Sequence, residues 1–299
     1  MTATKTIEVP HLGGTRVGYA ISNDSYDVDT SKPTCVLINS MCTTSSLFRA
    51  QFSDARLTGA MNLLAIEPLG HGSTACSSDH FTYWDSAITA LQVLDRLGID
   101  KFFALGTSQG GWIVTRLALL EPTRVQGLVL LGTSLDCESA DSRTKGCWDP
   151  VPMFKPFLEK WGSDVPTADF VPDDDWIGAC TSLGFGAAVT AENTEFWTKT
   201  IKDVYAGDEG RRKLRMAAIC LAERDGLLLR LDYVKCPVHW LHGTNDFVYG
   251  TQVPAEQIKL FTASSHAELS FVEGGAHYLS ASNPKEVNEA LFRLVTRAN

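Results

Sequence analysis

The sequence predicts an α/β fold: a mostly parallel central sheet flanked by helices, with a helical cap inserted into it. Three observations carry this. Short, wholly apolar runs recur along the chain, as expected of strands covered on both faces. Amphipathic helical patterns lie between these runs, and strand–helix alternation implies parallel pairing through crossovers. From 137 to 215 the alternation stops, and aromatic-rich helical fragments replace it.

The elements follow in order. Residues 6–9 and 15–21 read as alternating strands around a turn at Gly13-Gly14, and 22–33 as a polar loop. Cys35-Val36-Leu37-Ile38 is the first apolar run. Leu63-Leu64-Ala65-Ile66, Phe102-Phe103-Ala104-Leu105 and Leu128-Val129-Leu130-Leu131 follow it, and 237–241 and 269–272 give two more. Trp84, Ala87, Ile88, Leu91, Leu94 and Leu97 fall on one helical face, and Gly98 is the expected stop. A second helix spans 110–120 and is closed by Glu121-Pro122. The last helix has Pro284 in its first turn and an apolar face of Val287, Leu291, Leu294 and Val295. Residues 1–136 and 216–299 are therefore expected to form the core domain, and 137–215 the cap. Within the cap, Trp148, Phe154, Trp176 and Phe185 are the candidate lining of a substrate pocket. The alternative is that cap aromatics only attach the insertion to the core.

Composition narrows the function classes. The chain has 299 residues, 26 Lys and Arg against 35 Asp and Glu, and a net charge of −9. With no basic run, neither nucleic acid nor an anionic membrane is expected as a partner. No apolar run reaches the ~20 residues of a membrane span. The first residues lack a secretory signal's apolar core, and Thr296-Arg297-Ala298-Asn299 is neither a prenylation box nor a peroxisomal address. Eight cysteines lie far apart with no C-x-x-C pair, which predicts a reducing compartment, most simply the cytoplasm, and no structural zinc. There is no P-loop and no dinucleotide fingerprint, so no cofactor is expected.

The central motif is Gly106-Thr107-Ser108-Gln109-Gly110. It follows a predicted strand and opens a predicted helix, the setting in which a sharp turn lifts a serine hydroxyl out of a sheet. Such a serine needs a base held by an acid. Asp246 falls in the loop after the strand 237–241, and His277 follows Phe271-Val272-Glu273-Gly274-Gly275-Ala276. Asp136, after the run 128–131, is the alternative acid. His239 and His242 fall three apart on one strand and point to opposite faces, so they read as structural. His71 lies in a loop that could approach the site. Asp173-Asp174-Asp175 reads as a solvated loop rather than a cation site.

On these residues the chain resembles the α/β-hydrolases. Ser108, Asp246 and His277 stand in that family's triad order. Glu67-Pro68-Leu69-Gly70-His71-Gly72-Ser73 is similar to its D-x-x-G-x-G-x-S loop, with Glu67 in place of Asp. Asn39-Ser40 stands where the family has His-Gly. The resemblance implies that the backbone N–H groups of Met41 and Gln109 form an oxyanion hole; Met41 could equally line the acyl pocket. At finer grain, Ser40-Met41-Cys42-Thr43-Thr44-Ser45, 106–112 and Leu131-Gly132-Thr133-Ser134-Leu135-Asp136 resemble α/β-hydrolase-like proteins of fungal polyketide and host-selective-toxin pathways. The implied function is a serine hydrolase or acyltransferase. Its substrate would be a small-molecule ester or thioester of an apolar acyl or polyketide chain, delivered by coenzyme A or a carrier protein. Hydrolysis and lactone-forming release use the same triad and stay unresolved at this point. Two alternatives use the same fold: a lyase or carbon–carbon bond hydrolase, and a non-catalytic small-molecule binding protein.

Overall fold

In the computed structural model, residues 4–23 and 27–297 are described. Residues 1–3 and 298–299, which bear on the terminal targeting signals, and 24–26 of the polar loop lie outside the described residues. The strands are β1 (Lys5–Val9), β2 (Thr15–Ile21), β3 (Thr34–Ile38), β4 (Asn62–Ile66), β5 (Ala75–Cys76), β6 (Phe102–Thr107), β7 (Val125–Leu131), β8 (Val238–Gly243) and β9 (Ala267–Val272). They form one sheet in the order β1-β2-β4-β3-β6-β7-β8-β9, with the two-residue β5 on the edge of β2. β1 and β2 pair antiparallel, β2 joins β4 antiparallel, and every step from β4 to β9 is parallel.

The apolar runs have a direct structural meaning. Alternate residues of each central strand enter two separate cores. Val36, Ile38, Ala104, Leu128, Leu130 and Trp240 point into one. Cys35, Leu37, Phe103, Leu105, Val129 and Leu131 point into the other. A strand sandwiched in this way has no solvent face, so the polar alternation of a half-exposed strand is absent.

The longer helices are α1 (Tyr83–Arg96), α2 (Gln109–Leu120), α3 (Pro150–Trp161), α4 (Asp174–Phe185), α5 (Ala191–Val204), α6 (Gly207–Ala222) and α7 (Pro284–Arg297). Thr82 and Asp85 form a capping box that starts α1. The apolar stripes of α1 and α2 join the first core. Val287, Leu291 and Val295 of α7 join the second. No helix among the described residues is long and apolar enough to cross a membrane.

Helices α3 to α6 make up the aromatic-rich insertion. Trp176 is its hub, with ring centroids 4.9 Å from Trp161, 5.0 Å from Phe154 and 5.2 Å from Phe157. The expected return to the core at 216 falls inside α6, which runs unbroken to Ala222. The base of the insertion is pinned by a buried ion pair. Glu138, where the chain leaves the core, meets Arg224, where it returns. The Arg224 guanidinium also lies 4.1 Å over the Trp112 ring of α2.

Candidate active site

Ser108 sits at the turn from β6 into α2 with φ 55° and ψ −119°, a strained conformation for a residue with a side chain. The flanking glycines make the turn possible. A Cβ on Gly106 would lie 2.1 Å from the Gly110 carbonyl oxygen, and one on Gly110 would lie 2.1 Å from that of Ile38. The strain is held by the Ser108 N–H donating to Leu131 O at 2.8 Å and the Thr133 hydroxyl donating to Ser108 O at 2.9 Å.

Asp246 and His277 are brought together by the loops after β8 and β9. His277 Nδ1 lies 2.8 Å from Asp246 Oδ2, and both side chains are buried. Asp246 Oδ1 accepts the Val248 N–H at 2.8 Å and the Tyr249 N–H at 3.2 Å. Burial alone would raise this carboxyl. The His277 charge and hydrogen bond, the nearby His242 and the Val248 N–H outweigh it and hold the pKa at about 2. An ionised Asp246 places the proton of neutral His277 on Nδ1 and leaves Nε2 as an acceptor. Gly132 makes room for the pair: a Cβ there would lie 2.4 Å from the His277 carbonyl oxygen and 3.2 Å from Asp246 Oδ2.

The alternative acid stands apart. Asp136 accepts the Cys137 N–H at 2.8 Å and the Ser139 hydroxyl, and caps the chain where the insertion begins. His242 is fully buried behind the site, with Nε2 3.6 Å from Asp246 Oδ2. His239 pairs with Glu268 at 3.1 Å on the sheet edge. Asp173 contacts Lys160, and Asp174 and Asp175 open α4. Among the described residues no group of three or more His, Cys, Asp or Glu side chains is placed to hold a metal ion.

Ser108 and His277 open onto one cavity, which Ser40 and Met41 also line. Trp148, Phe154 and Trp176 form its cap side. Phe185 does not. It packs edge-on against Tyr278 at 5.4 Å, in a cluster with Leu47 and Trp197. The reason is helical phase: nine residues after Trp176 is two and a half turns, so Phe185 faces away from the cavity. Ala179, Cys180 and Leu183 share the Trp176 face and do line it. Their i, i+3, i+4, i+7 spacing from Trp176 is the sequence signal of this shared face. Tyr278 also lines it, and no local sequence pattern signals this. Its hydroxyl donates to Met41 O at 3.2 Å and its N–H donates to Gly184 O at 2.8 Å, which joins the cap, the Met41 loop and the His277 loop. No Lys, Arg, Asp or Glu stands among the described residues of the cavity wall.

The Asn39-Ser40 departure has a local solution. Asn39 Nδ2 donates to Thr43 O at 2.9 Å, the Thr43 hydroxyl donates to Ser40 O at 2.8 Å, and Cys42 takes the positive φ of 57° that closes the turn. Glu67 is structural: its carboxylate accepts the Ser45 N–H at 3.0 Å and the Ser73 N–H at 2.7 Å, which ties two loops together.

Comparison with known proteins agrees with this architecture. The sequence model of the alpha/beta hydrolase fold matches residues 33–167. A probable 1-acylglycerol-3-phosphate O-acyltransferase from Oryza sativa subsp. japonica is 23% identical over 296 residues, covering 91% of this chain and 69% of that protein. A putative carbamate hydrolase, RutD, from Rhizobium rhizogenes is 25% identical over 208 residues, covering 69% of this chain and 71% of that protein. A thermophilic esterase from Thermogutta terrifontis superposes with a TM-score of 0.77 at 15% identity, over 98% of this chain and 99% of the other. The enol-lactonase from Burkholderia xenovorans does so with a TM-score of 0.74 at 19% identity, over 97% and 100%. Sheet order, serine turn and these matches together establish that the chain is built on the α/β-hydrolase fold.

Proposed function

We propose that this protein is a serine-dependent hydrolase or acyltransferase that works through an acyl-enzyme on an ester or thioester. The observation that carries the reading is the buried Asp246–His277 pair at 2.8 Å, opening with Ser108 onto one apolar cavity. In the reaction, Ser108 Oγ attacks the acyl carbonyl while His277 Nε2 takes its proton. Asp246 orients the ring and stabilises the imidazolium. The Met41 and Gln109 N–H groups hold the oxyanion; Gln109 is the first residue of α2, where a helix N–H has no intrahelical acceptor. His277 then returns the proton to the leaving oxygen or sulfur, and the acyl group passes to water or to a hydroxyl.

The wall chemistry favours an uncharged, apolar acyl chain, because a carboxylate or ammonium placed there would be desolvated without a counter-ion. A polyketide or acyl chain of secondary metabolism, released by hydrolysis or lactonisation, fits that description. Coenzyme A or a carrier protein would be its source. The names of the relatives include both hydrolases and acyltransferases, which supports either fate of the acyl-enzyme. The test is a series of hydroxyacyl thioesters, with products identified by mass spectrometry and Ser108→Ala as control. Free acid or lactone formed only with Ser108 present is the expected result. Turnover that survives Ser108→Ala supports lyase or carbon–carbon cleavage chemistry, and tight binding without product supports a binding protein.

A further inference from the structure

Gln109 enters the reading above through its backbone, and this inference rests on that reading. Its side chain is engaged elsewhere. Nε2 donates to the Asn39 carbonyl oxygen at 3.3 Å and to His71 Nε2 at 3.0 Å, and Oε1 accepts the Tyr83 hydroxyl at 3.2 Å. All three side chains are buried. The direction of every bond is fixed. His71 Nδ1 lies 3.0 Å from Leu69 O, which can only accept, so Nδ1 carries the proton and Nε2 is the acceptor. The amide must then present its NH₂ to His71 and Asn39, and its oxygen to Tyr83. Burial, reinforced by the charge of Lys213 against the Leu69 hydrogen bond, lowers His71 to about 4, so the ring is neutral at physiological pH.

The partners of this amide lie on different pieces of the site. Asn39 opens the loop that carries Met41, and Gln109 opens α2. These are the two backbone segments assigned to the oxyanion hole, and one side chain ties them together. Neither His71 nor Tyr83 lines the cavity among the described residues.

We propose that the Gln109 side chain, held by His71 and Tyr83, is a clamp that sets the spacing of the Met41 and Gln109 N–H groups. His71 and Tyr83 are positioning residues; they act through Gln109 and touch no substrate. Oxyanion donors work only when aimed at the place where charge develops, so a loosened clamp costs transition-state binding and leaves ground-state binding alone.

Gln109→Leu keeps the backbone N–H and removes all three bonds. Its kcat is expected to fall roughly 10- to 100-fold, with KM within about twofold of wild type. His71→Leu is expected to behave alike. His71→Gln can donate to Leu69 and accept from Gln109, and is expected to stay within about threefold of wild type. Tyr83→Phe loses one bond and is expected to fall a few-fold. Affinity for a trifluoromethyl ketone, which forms an oxyanion when Ser108 adds to it, is expected to drop in proportion to kcat/KM across the set. Equal losses in His71→Gln and His71→Leu, a loss confined to KM, or an unchanged kcat in folded Gln109→Leu overturns the clamp. If a leucine variant fails to fold by circular dichroism, Tyr83→Phe decides: an unchanged kcat and ketone affinity overturns the clamp. Absence of Ser108-dependent turnover in the wild type overturns the hydrolase reading itself. Ser108-dependent turnover that ignores Gln109→Leu overturns the clamp alone.

Discussion

The ion pair at the base of the cap makes a sharp prediction. The Glu138 and Arg224 side chains are 2% and 1% exposed, and Arg224 also donates to Leu221 O and lies over Trp112. Glu138→Met leaves the guanidinium buried with no counter-charge. Removing one partner of such a pair costs about 3–5 kcal/mol. Unfolding entropy is about 2.1 cal/mol/K per residue, so for 299 residues it is about 0.6 kcal/mol/K. The melting temperature should therefore fall by about 5–8 °C. Arg224→Met should cost a similar amount, because it strands the carboxylate. The double variant removes both desolvated charges and should recover most of the loss. Scanning calorimetry with denaturant titration measures all three. A single variant within about 1 °C of wild type, or a double variant whose loss is the sum of the singles, would refute the account of how the cap is anchored.

Other predictions address the site and its surroundings. Asp246→Asn should lose about 10⁴-fold in kcat while Asp136→Asn stays within a few-fold, and the reverse order would move the acid to Asp136. Gly132→Ala forces a side chain into a φ of 47° and against the His277 carbonyl. It should cost about 1–3 kcal/mol of stability and lower kcat as well; a stable, fully active variant would contradict the geometry. His71 binds a proton below about 6.5 when unfolded but only below about 4 when folded. The unfolded state thus holds more protons between these values. Stability should fall as pH drops from 6.5 to 4, by up to about 3 kcal/mol from this residue. Denaturant titrations at several pH values should show a shallower slope for His71→Gln, and identical slopes would contradict the assignment.

Much of the fold was legible because its signals are local. The strands β3, β4, β6 and β7 announce themselves as apolar runs, since both their faces are covered. The serine turn is legible because glycines are needed at Gly106 and Gly110 for the backbones to approach. Other features depend on contacts between distant segments. The Gln109 side chain reaches residues 26, 38 and 70 positions away, and nothing near Gln109 in the chain signals those bonds. Residue 215, the expected end of the cap, falls inside α6, which keeps its amphipathic pattern across that point with no glycine or proline to mark a boundary. Phe185, expected in the lining, faces away from it because helical phase and not aromatic composition decides which side of α4 meets the cavity. β5, two residues long, is too short to leave a periodic trace.

In the proposed mechanism Ser108 carries the acyl group. The most direct measurement incubates wild type and Ser108→Ala with hydroxyacyl thioesters and follows both the protein mass and the released products. The wild type should show an adduct equal in mass to the acyl group, mapped to Ser108, followed by free acid or lactone, with neither adduct nor product in Ser108→Ala. Product formed at the same rate by Ser108→Ala would contradict this mechanism.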